Sequence, residues 1–296
     1  MTTAFVFSGG CSLGALQVGM LQALADRQVT PDLLVGTSAG ALNAAFVATH
    51  GSDRAAVDRL ADLWSGLRAR TLFPLDPRRA LLALTGNGSA LCSDRGLRSL
   101  LRANLGIDDL TDAPIPLAVV ASDFLSGGEV VLRTGDATSA ILASCAIPGV
   151  FTPVEREGRT LVDGGLADNT AVSAAVDAGA DRVYVLPAGY ACALRAAPRS
   201  PISAVTHALN LLTQQRLVAD IALYADRVDL VVLPPPCPLD VPPLDFSRAG
   251  ELIRRSYQES SARLATAGGR REHPAHDLAL HRHLTDAEHR VTPGRG

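Results

Sequence analysis

The 296-residue chain has few cysteines, no long apolar run and no excess of basic residues, and each shortage excludes a class of protein. Its five cysteines include no C-x-x-C pair, so they provide neither zinc-ligand spacing nor a disulfide framework and suit a reducing cytosol. No stretch approaches the ~18 uncharged apolar residues of a membrane-spanning helix. A net charge of −3 argues against a nucleic-acid-binding surface. Because the first residues also lack the basic segment of a secretory signal, we expect a cytoplasmic protein without a transmembrane segment.

Short apolar runs alternate with helical patterns along most of the chain. The predicted strands are 4–7, 32–35, 116–122, 129–133, 159–162, 182–186 and 228–233. Several of them are apolar throughout, which indicates burial on both faces. The pattern predicts a three-layer α/β/α sandwich with a central, mostly parallel sheet, in which long amphipathic helices at 202–224 and 247–267 cover the strands. We expect one domain over residues 1–267, followed by a polar, mobile tail over 268–296.

One hydroxyl lies where a predicted strand turns sharply into a predicted helix. Ser38 stands in Gly36-Thr37-Ser38-Ala39-Gly40, after the apolar run 33–35 and before the small residues 41–45. This arrangement is typical of a nucleophile elbow, in which the flanking glycines leave room for neighbouring backbone. The motif is short, so it is a weak signal unless other motifs accompany it.

Two further motifs are candidates to act with Ser38. A glycine-rich loop follows the first predicted strand, and its backbone N–H groups could hold a phosphate or an oxyanion. The loop residues are Gly9, Gly10, Cys11, Ser12 and Gly14. Asp163 ends an apolar run directly before Gly164 and Gly165. Both motifs are also common in tight turns that have no catalytic role.

A nucleophilic serine needs a base, which is most often a histidine. Five of the seven histidines fall in the C-terminal tail. His50 follows the helix beside Ser38 and lies about 18 Å away along it, which excludes it as the base. His207 lies in a long helical pattern whose position relative to Ser38 the sequence does not fix. Asp163 is the best remaining base, provided that burial raises its pKa and that it contacts Ser38 directly. The runner-up carboxylates are Asp123 and Asp168.

In their order along the chain, these motifs resemble the patatin-like phospholipase family. The resemblance extends over roughly the first 170 residues and is carried by 7–24, 36–44, 121–123 with 128–129, 143–151, and 162–165 with Asn169. It implies a serine lipid acyl hydrolase with a Ser38–Asp163 dyad and an oxyanion hole in the glycine-rich loop. It also implies a lipid or ester substrate, peripheral contact with a membrane surface, and no cofactor or metal ion. The loop departs from the family's usual Gly-Gly-Gly-x-Arg/Lys-Gly at Cys11 and Leu13.

Two other functions stay open. A Ser-His-Asp esterase or thioesterase would use His207, and a non-catalytic lipid-binding or partner-binding relative is favoured by the substitutions at Cys11 and Leu13.

The stretch 64–112, which contains Leu72 and Phe73, is either a substrate-covering insertion or a set of helices packed on the core. Cys145 lies in a small-residue helix, so we expect a buried structural thiol there.

Overall fold

A twisted sheet of eight described strands forms the centre of the molecule. The structure, a computed structural model, describes residues 1–85, 88, 90–189, 197, 201–266 and 278. The strands are β1 (Thr3–Phe7), β2 (Leu33–Thr37), β3 (Leu117–Asp123), β4 (Glu129–Leu132), β5 (Val154–Arg156), β6 (Arg159–Asp163), β7 (Arg182–Leu186) and β8 (Asp229–Val232). Their order is β5-β6-β3-β2-β1-β7-β8, and β4 also pairs with β3.

The central strands of the sheet run parallel. β1 pairs in parallel with β2 and β7, β2 with β3, and β7 with β8. The antiparallel pairs β3–β4, β3–β6 and β5–β6 lie at one side. The mostly parallel sheet predicted from the sequence is therefore confirmed, and the short antiparallel strand β5 is an addition to it.

Helices cover both faces of the sheet. They are α1 (Ala15–Ala25), α2 (Ala39–His50), α3 (Arg54–Gly66), α4 (Ala69–Leu72), α5 (Pro77–Leu84), α6 (Arg95–Asn104), α7 (Ala137–Ser144), α8 (Val172–Asp177), α9 (Pro201–Tyr224) and α10 (Ala249–Thr266). Phe5 and Phe7 of β1 pack in a core with α1, α2, α7 and α10, whereas the alternate residues Ala4 and Val6 pack with α8 and α9. Since successive side chains of a strand point to opposite faces, this division is that of a three-layer sandwich.

Helix α1 is buried along almost its whole length. Every residue from Ala15 to Leu24 is buried, and α10 lies against it at Gly19, where an added Cβ would be 2.6 Å from the backbone nitrogen of Tyr257. A helix that is enclosed on all sides needs no polar face, and its two polar residues, Gln17 and Gln22, donate hydrogen bonds to the Ser8 carbonyl and the Asp58 side chain.

The cysteines only partly follow the sequence prediction. Cys11, Cys92 and Cys145 are free thiols, but Cys237 is disulfide-bonded, so the expectation that the cysteines provide no disulfide framework fails at this position. Spacing along the chain does not reveal which thiols meet in three dimensions. Because disulfides are typical of oxidising compartments, the cytoplasmic location stays a prediction.

Two other predictions concern the periphery of the fold. The predicted tail 268–296 lies outside the described residues except for Leu278, which is buried and whose carbonyl oxygen accepts a hydrogen bond from Gln214. Within the described part of the chain, no helix combines the length and apolar character needed to cross a bilayer.

Candidate active site

Ser38 sits on a strained turn between β2 and α2. Its φ of 53° and ψ of −122° are unusual for a residue with a side chain, and it is 7% exposed. The flanking glycines permit the close approach of backbone at this turn. A Cβ on Gly36 would lie 2.6 Å from the Cα of Ala41, and one on Gly40 would lie 2.6 Å from the carbonyl oxygen of Ser8. The same crowding applies to the other motif glycines, Gly9, Gly10, Gly14, Gly164 and Gly165.

Strand register brings Asp163 to this turn although 125 residues separate it from Ser38. β2 pairs with β3 as far as Thr37 opposite Val120. β6 pairs with the next residue of β3, since Asp163 lies opposite Ala121. Ser38 and Asp163 therefore leave the sheet at adjacent register positions.

The two side chains are in direct contact. Ser38 Oγ donates a hydrogen bond of 2.6 Å to Asp163 Oδ2, while Asp163 Oδ1 accepts one of 2.8 Å from the Gly165 N–H. Burial raises the pKa of the Asp163 carboxyl from 3.8 to about 6, and these two hydrogen bonds oppose the rise. Near neutral pH, Asp163 is thus a buried carboxylate with increased proton affinity, and one of its oxygens accepts a hydrogen bond from the Ser38 hydroxyl.

The glycine-rich loop presents two backbone donors beside Ser38 that bond to no other group in the described part of the chain. The Gly9 N–H donates to the carbonyl of Asn169 at 3.1 Å, and the Ser12 N–H donates to that of Pro243 at 2.9 Å. The N–H groups of Gly10 and Cys11 have no hydrogen-bond partner among the described residues. Of the four residues considered for an oxyanion hole, Gly10 and Cys11 are therefore the ones with a free backbone donor.

Cys11 occupies a backbone conformation that favours glycine. Its φ is 50°, so the sequence departure from glycine places a side chain in the left-handed region at a cost of about 1–3 kcal/mol. Leu13, at the usual basic position, is buried in the core. Burial, and secondarily the charge of Asp163, raises the pKa of Cys11 to about 12 and that of Cys145 well above its ordinary value. Both thiols are consequently neutral near pH 7.

The other titratable candidates, apart from His207, lie away from Ser38 or make other contacts. His50 stacks on Phe46 at the far end of α2. Asp123 accepts turn hydrogen bonds from Leu125 and Ser126, which lower the pKa of its carboxyl. Asp168 is buried and pairs with Arg216 at 3.3 Å. His207 of α9 lines the same cleft as Ser38 and Asp163.

Two clefts meet at Ser38. The larger, of about 400 Å³, is open to the polar side chains of α9, including His207, Asn210 and Gln214. The second is apolar, and aromatic rings form much of its wall. Phe73 stacks on Phe151 with ring centroids 5.3 Å apart, and Phe246 stacks on Trp64 at 6.2 Å.

The insertion 64–112 therefore contributes to both the core and the site. Leu72 is buried in the main core and Phe73 packs against it, and both residues also line the apolar cleft. The two alternatives considered for this segment are not exclusive, because the same side chains close the core and face Ser38.

Sequence reasoning missed a second serine at the site. The N–H of Ser38 donates a 2.7 Å hydrogen bond to the hydroxyl of Ser144, which is fully buried at the end of α7. Ser144 lies in a run of small residues, which indicates close packing and gives no sign of a polar contact.

Comparison with known protein families identifies one match. The family model for patatin-like phospholipase matches residues 5–176, which include most of β1, the elbow, β6 and the Asp-Gly-Gly motif. The chain belongs to the patatin-like phospholipase family.

Curated relatives match between half and two thirds of the chain. An uncharacterised NTE family protein of Mycobacterium bovis is 31% identical over 166 residues, which are 56% of this chain and 43% of the relative. Lysophospholipase NTE1 of Mycosarcoma maydis is 26% identical over 196 residues, or 64% of this chain and 10% of the relative. The chain spans less than half the length of these curated relatives.

Two solved structures align with most of this patatin-like chain at low sequence identity. Human GIVD cytosolic phospholipase A2 aligns with a TM-score of 0.45 and 12% identity, covering 90% of this chain and 58% of that one. VipD from Legionella pneumophila aligns with a TM-score of 0.44 and 15% identity, covering 88% and 67%.

Proposed function

We propose that this chain is a serine lipid acyl hydrolase, a phospholipase A or carboxylic ester hydrolase that releases fatty acids with a Ser38–Asp163 dyad. The observation that carries the proposal is the 2.6 Å hydrogen bond from Ser38 Oγ to the buried Asp163 carboxylate. A carboxylate is ordinarily a weak base, and its raised pKa of about 6 brings it nearer to working pH. Membership of a phospholipase family supports the same reaction class.

The reaction proceeds in two acyl-transfer steps. Ser38 Oγ attacks the ester carbonyl carbon as its proton passes to Asp163 Oδ2, and the N–H groups of Gly10 and Cys11 stabilise the oxyanion. Collapse of this intermediate breaks the ester bond, and the leaving alcohol takes the proton from Asp163. Water then attacks the acyl-serine and gives a proton to Asp163. The second collapse releases the fatty acid and returns the proton to Ser38.

The two clefts suggest how the substrate lies. The apolar cleft walled by Phe73, Phe151 and Phe246 has a volume of about 40 Å³, so it suits the part of an acyl chain next to the ester carbon, where burial of each methylene contributes about 0.8 kcal/mol. The larger cleft, whose lining is mostly apolar but carries His207 and Gln214 on its α9 side, has room for the rest of the ester. Exposed leucines at the cleft, Leu166 and Leu209, support peripheral contact with a lipid surface.

Two assays together test this function. A fluorophosphonate should label the wild-type chain at Ser38, and labelling should disappear in Ser38→Ala. Wild-type protein should release fatty acid from phospholipid vesicles as well as from a short p-nitrophenyl ester, and Ser38→Ala should release it from neither. Labelling that survives in Ser38→Ala would require another nucleophile, and hydrolysis of the short ester alone would indicate a soluble carboxylesterase.

A Ser-His-Asp esterase is the second candidate because His207 lines the cleft. In such an enzyme, His207→Ala would lower turnover by orders of magnitude. In the dyad enzyme His207 contacts substrate at most, so His207→Ala should change KM more than kcat. A non-catalytic lipid-binding relative would bind vesicles but resist the fluorophosphonate.

A further inference from the structure

The buried hydroxyl of Ser144 lies between the end of β2 and β3. The Ser38 N–H donates to Ser144 Oγ at 2.7 Å, and Ser144 Oγ donates in turn to the carbonyl oxygen of Val120 at 2.5 Å. Ser144 and Val120 are both 0% exposed. The hydroxyl thus uses both its acceptor and its donor capacity inside the protein.

Strand register shows which interaction this hydroxyl replaces. The Leu34 N–H donates to the carbonyl of Pro116 at 2.8 Å, and a parallel ladder repeats this bond every two residues. If this pairing continued as far as Ser38, the Ser38 N–H would donate to the carbonyl oxygen of Val120. Ser144 Oγ bonds to both of these groups. Its insertion ends the pairing of β2 at Thr37 and lets Ser38 turn out of the sheet.

The same segment also holds the backbone of the second dyad residue. The Asp163 N–H donates to the carbonyl of Ala146 at 3.0 Å. Residues 144–146 therefore contact the backbones of Ser38 and Asp163 at once, from a helix end that packs in the main core.

We propose that Ser144 is a positioning residue, whose hydroxyl sets the turn at Ser38 and thereby the contact between Ser38 Oγ and Asp163 Oδ2. This inference rests on the proposed Ser38–Asp163 dyad. Proton transfer depends steeply on the distance between the oxygens, and a displacement of about 1 Å costs about 100-fold in rate. Ser144 itself does not touch substrate in this account.

Ser144→Ala tests the proposal by steady-state kinetics on a p-nitrophenyl ester. The variant leaves the Ser38 N–H and the Val120 carbonyl without a buried partner, so the turn relaxes. We expect kcat to fall by about ten- to 100-fold at a KM within about threefold of wild type. The acidic limb of the pH profile of kcat should also move to higher pH. The Ser38 hydrogen bond lowers the pKa of Asp163, so weakening this bond raises that pKa. A purely structural role would lower the active fraction without moving this limb.

Two further variants make the result decisive. Ser144→Cys keeps a similar volume but forms weaker hydrogen bonds, so it should have intermediate kcat and a smaller shift of the limb. Ser139→Ala, on the same helix, is the matched control and should behave as wild type. The proposal would be overturned if Ser144→Ala had the wild-type kcat and an unchanged acidic limb in its pH profile. If Ser144→Ala does not fold, the same result in Ser144→Cys would overturn it. Activity that persists in Ser38→Ala would instead refute the proposed function itself.

Discussion

At the scale of single residues, Asp163 combines high proton affinity with a buried position at the base of the larger cleft. Burial shifts its pKa from 3.8 to about 6, so the folded protein binds a proton more tightly than the unfolded chain. The contribution of this residue to stability is therefore greatest below pH ~4 and is lost as pH rises through about 6. Asp163 is a destabilising residue under the conditions in which it would act as a base.

Asp163→Asn should accordingly stabilise the protein at alkaline pH. Each tenfold change in proton affinity corresponds to about 1.4 kcal/mol, so the free energy of unfolding at pH 8 should rise by up to about 3 kcal/mol. The gain should vanish below pH ~4, where the wild-type carboxyl is neutral. Chemical denaturation at pH 4 and pH 8 measures both values.

Asp123→Asn is the control for this stability experiment. The pKa of Asp123 is lowered by the turn N–H groups of Ser126 and Leu125, so removal of its charge should destabilise the protein at pH 8. Asp163→Asn could instead lower the free energy of unfolding at pH 8, by as much as at pH 4. That result would mean that the buried carboxylate does not carry the desolvation cost assigned to it.

At the scale of elements, the segment around Phe73 determines the depth of the apolar cleft. Its ring stacks on Phe151 and packs against the core, so under the proposed function it would limit how far an acyl chain extends from Ser38. Phe73→Ala should shift the preference toward longer acyl chains. We expect the ratio of kcat/KM for a twelve-carbon ester to that for a six-carbon ester to rise on the order of tenfold.

Leu75→Ala is the matched control for the chain-length experiment. Leu75 lies two residues away but is 76% exposed, so its truncation should leave the ratio unchanged. Phe73→Leu should give a smaller shift with less loss of packing. An unchanged ratio in a folded Phe73→Ala would mean that acyl chains do not enter this cleft.

The sequence predicted all of the described strands except β5, both those with continuous apolar character and those whose burial alternates along the strand, such as β4 and β8. β1, β2, β3 and β7 are buried on both faces, and the predicted runs fall within two residues of their observed ends. β5 (Val154–Arg156) has three residues, none of them fully buried. It is a strand because it pairs with β6, and its own composition does not predict one. The start of α7 at Ala137 follows from the Asp136 side chain, which accepts a hydrogen bond from the Ser139 N–H.

At the scale of the whole molecule, the site depends on pairings between distant strands. The sequence located Ser38, Asp163 and the glycine-rich loop as separate motifs, and the family resemblance related them. No local pattern could reveal the 2.6 Å contact, because it arises where β2 and β6 meet adjacent residues of β3. The insertion of Ser144 and the disulfide at Cys237 are likewise properties of the assembled fold.

The same architecture explains why a serine and a carboxylate suffice in the proposed mechanism. The sheet and α7 fix both backbones, so neither side chain has to search for the other. Removing the base from such an arrangement should cost about 100- to 10,000-fold in rate, the usual contribution of a positioned general base.

The pH dependence of fluorophosphonate labelling at Ser38 tests this central claim most directly, since it measures the reactivity of the nucleophile without a substrate-specific step. The second-order rate for the wild type should rise about tenfold per pH unit below pH ~6 and level off above it, as Asp163 loses its proton. Asp163→Asn should react at least ~100-fold more slowly at pH 8, with no rise through pH 6. A folded Asp163→Asn that labels at the wild-type rate, with the pH dependence intact, would contradict the account.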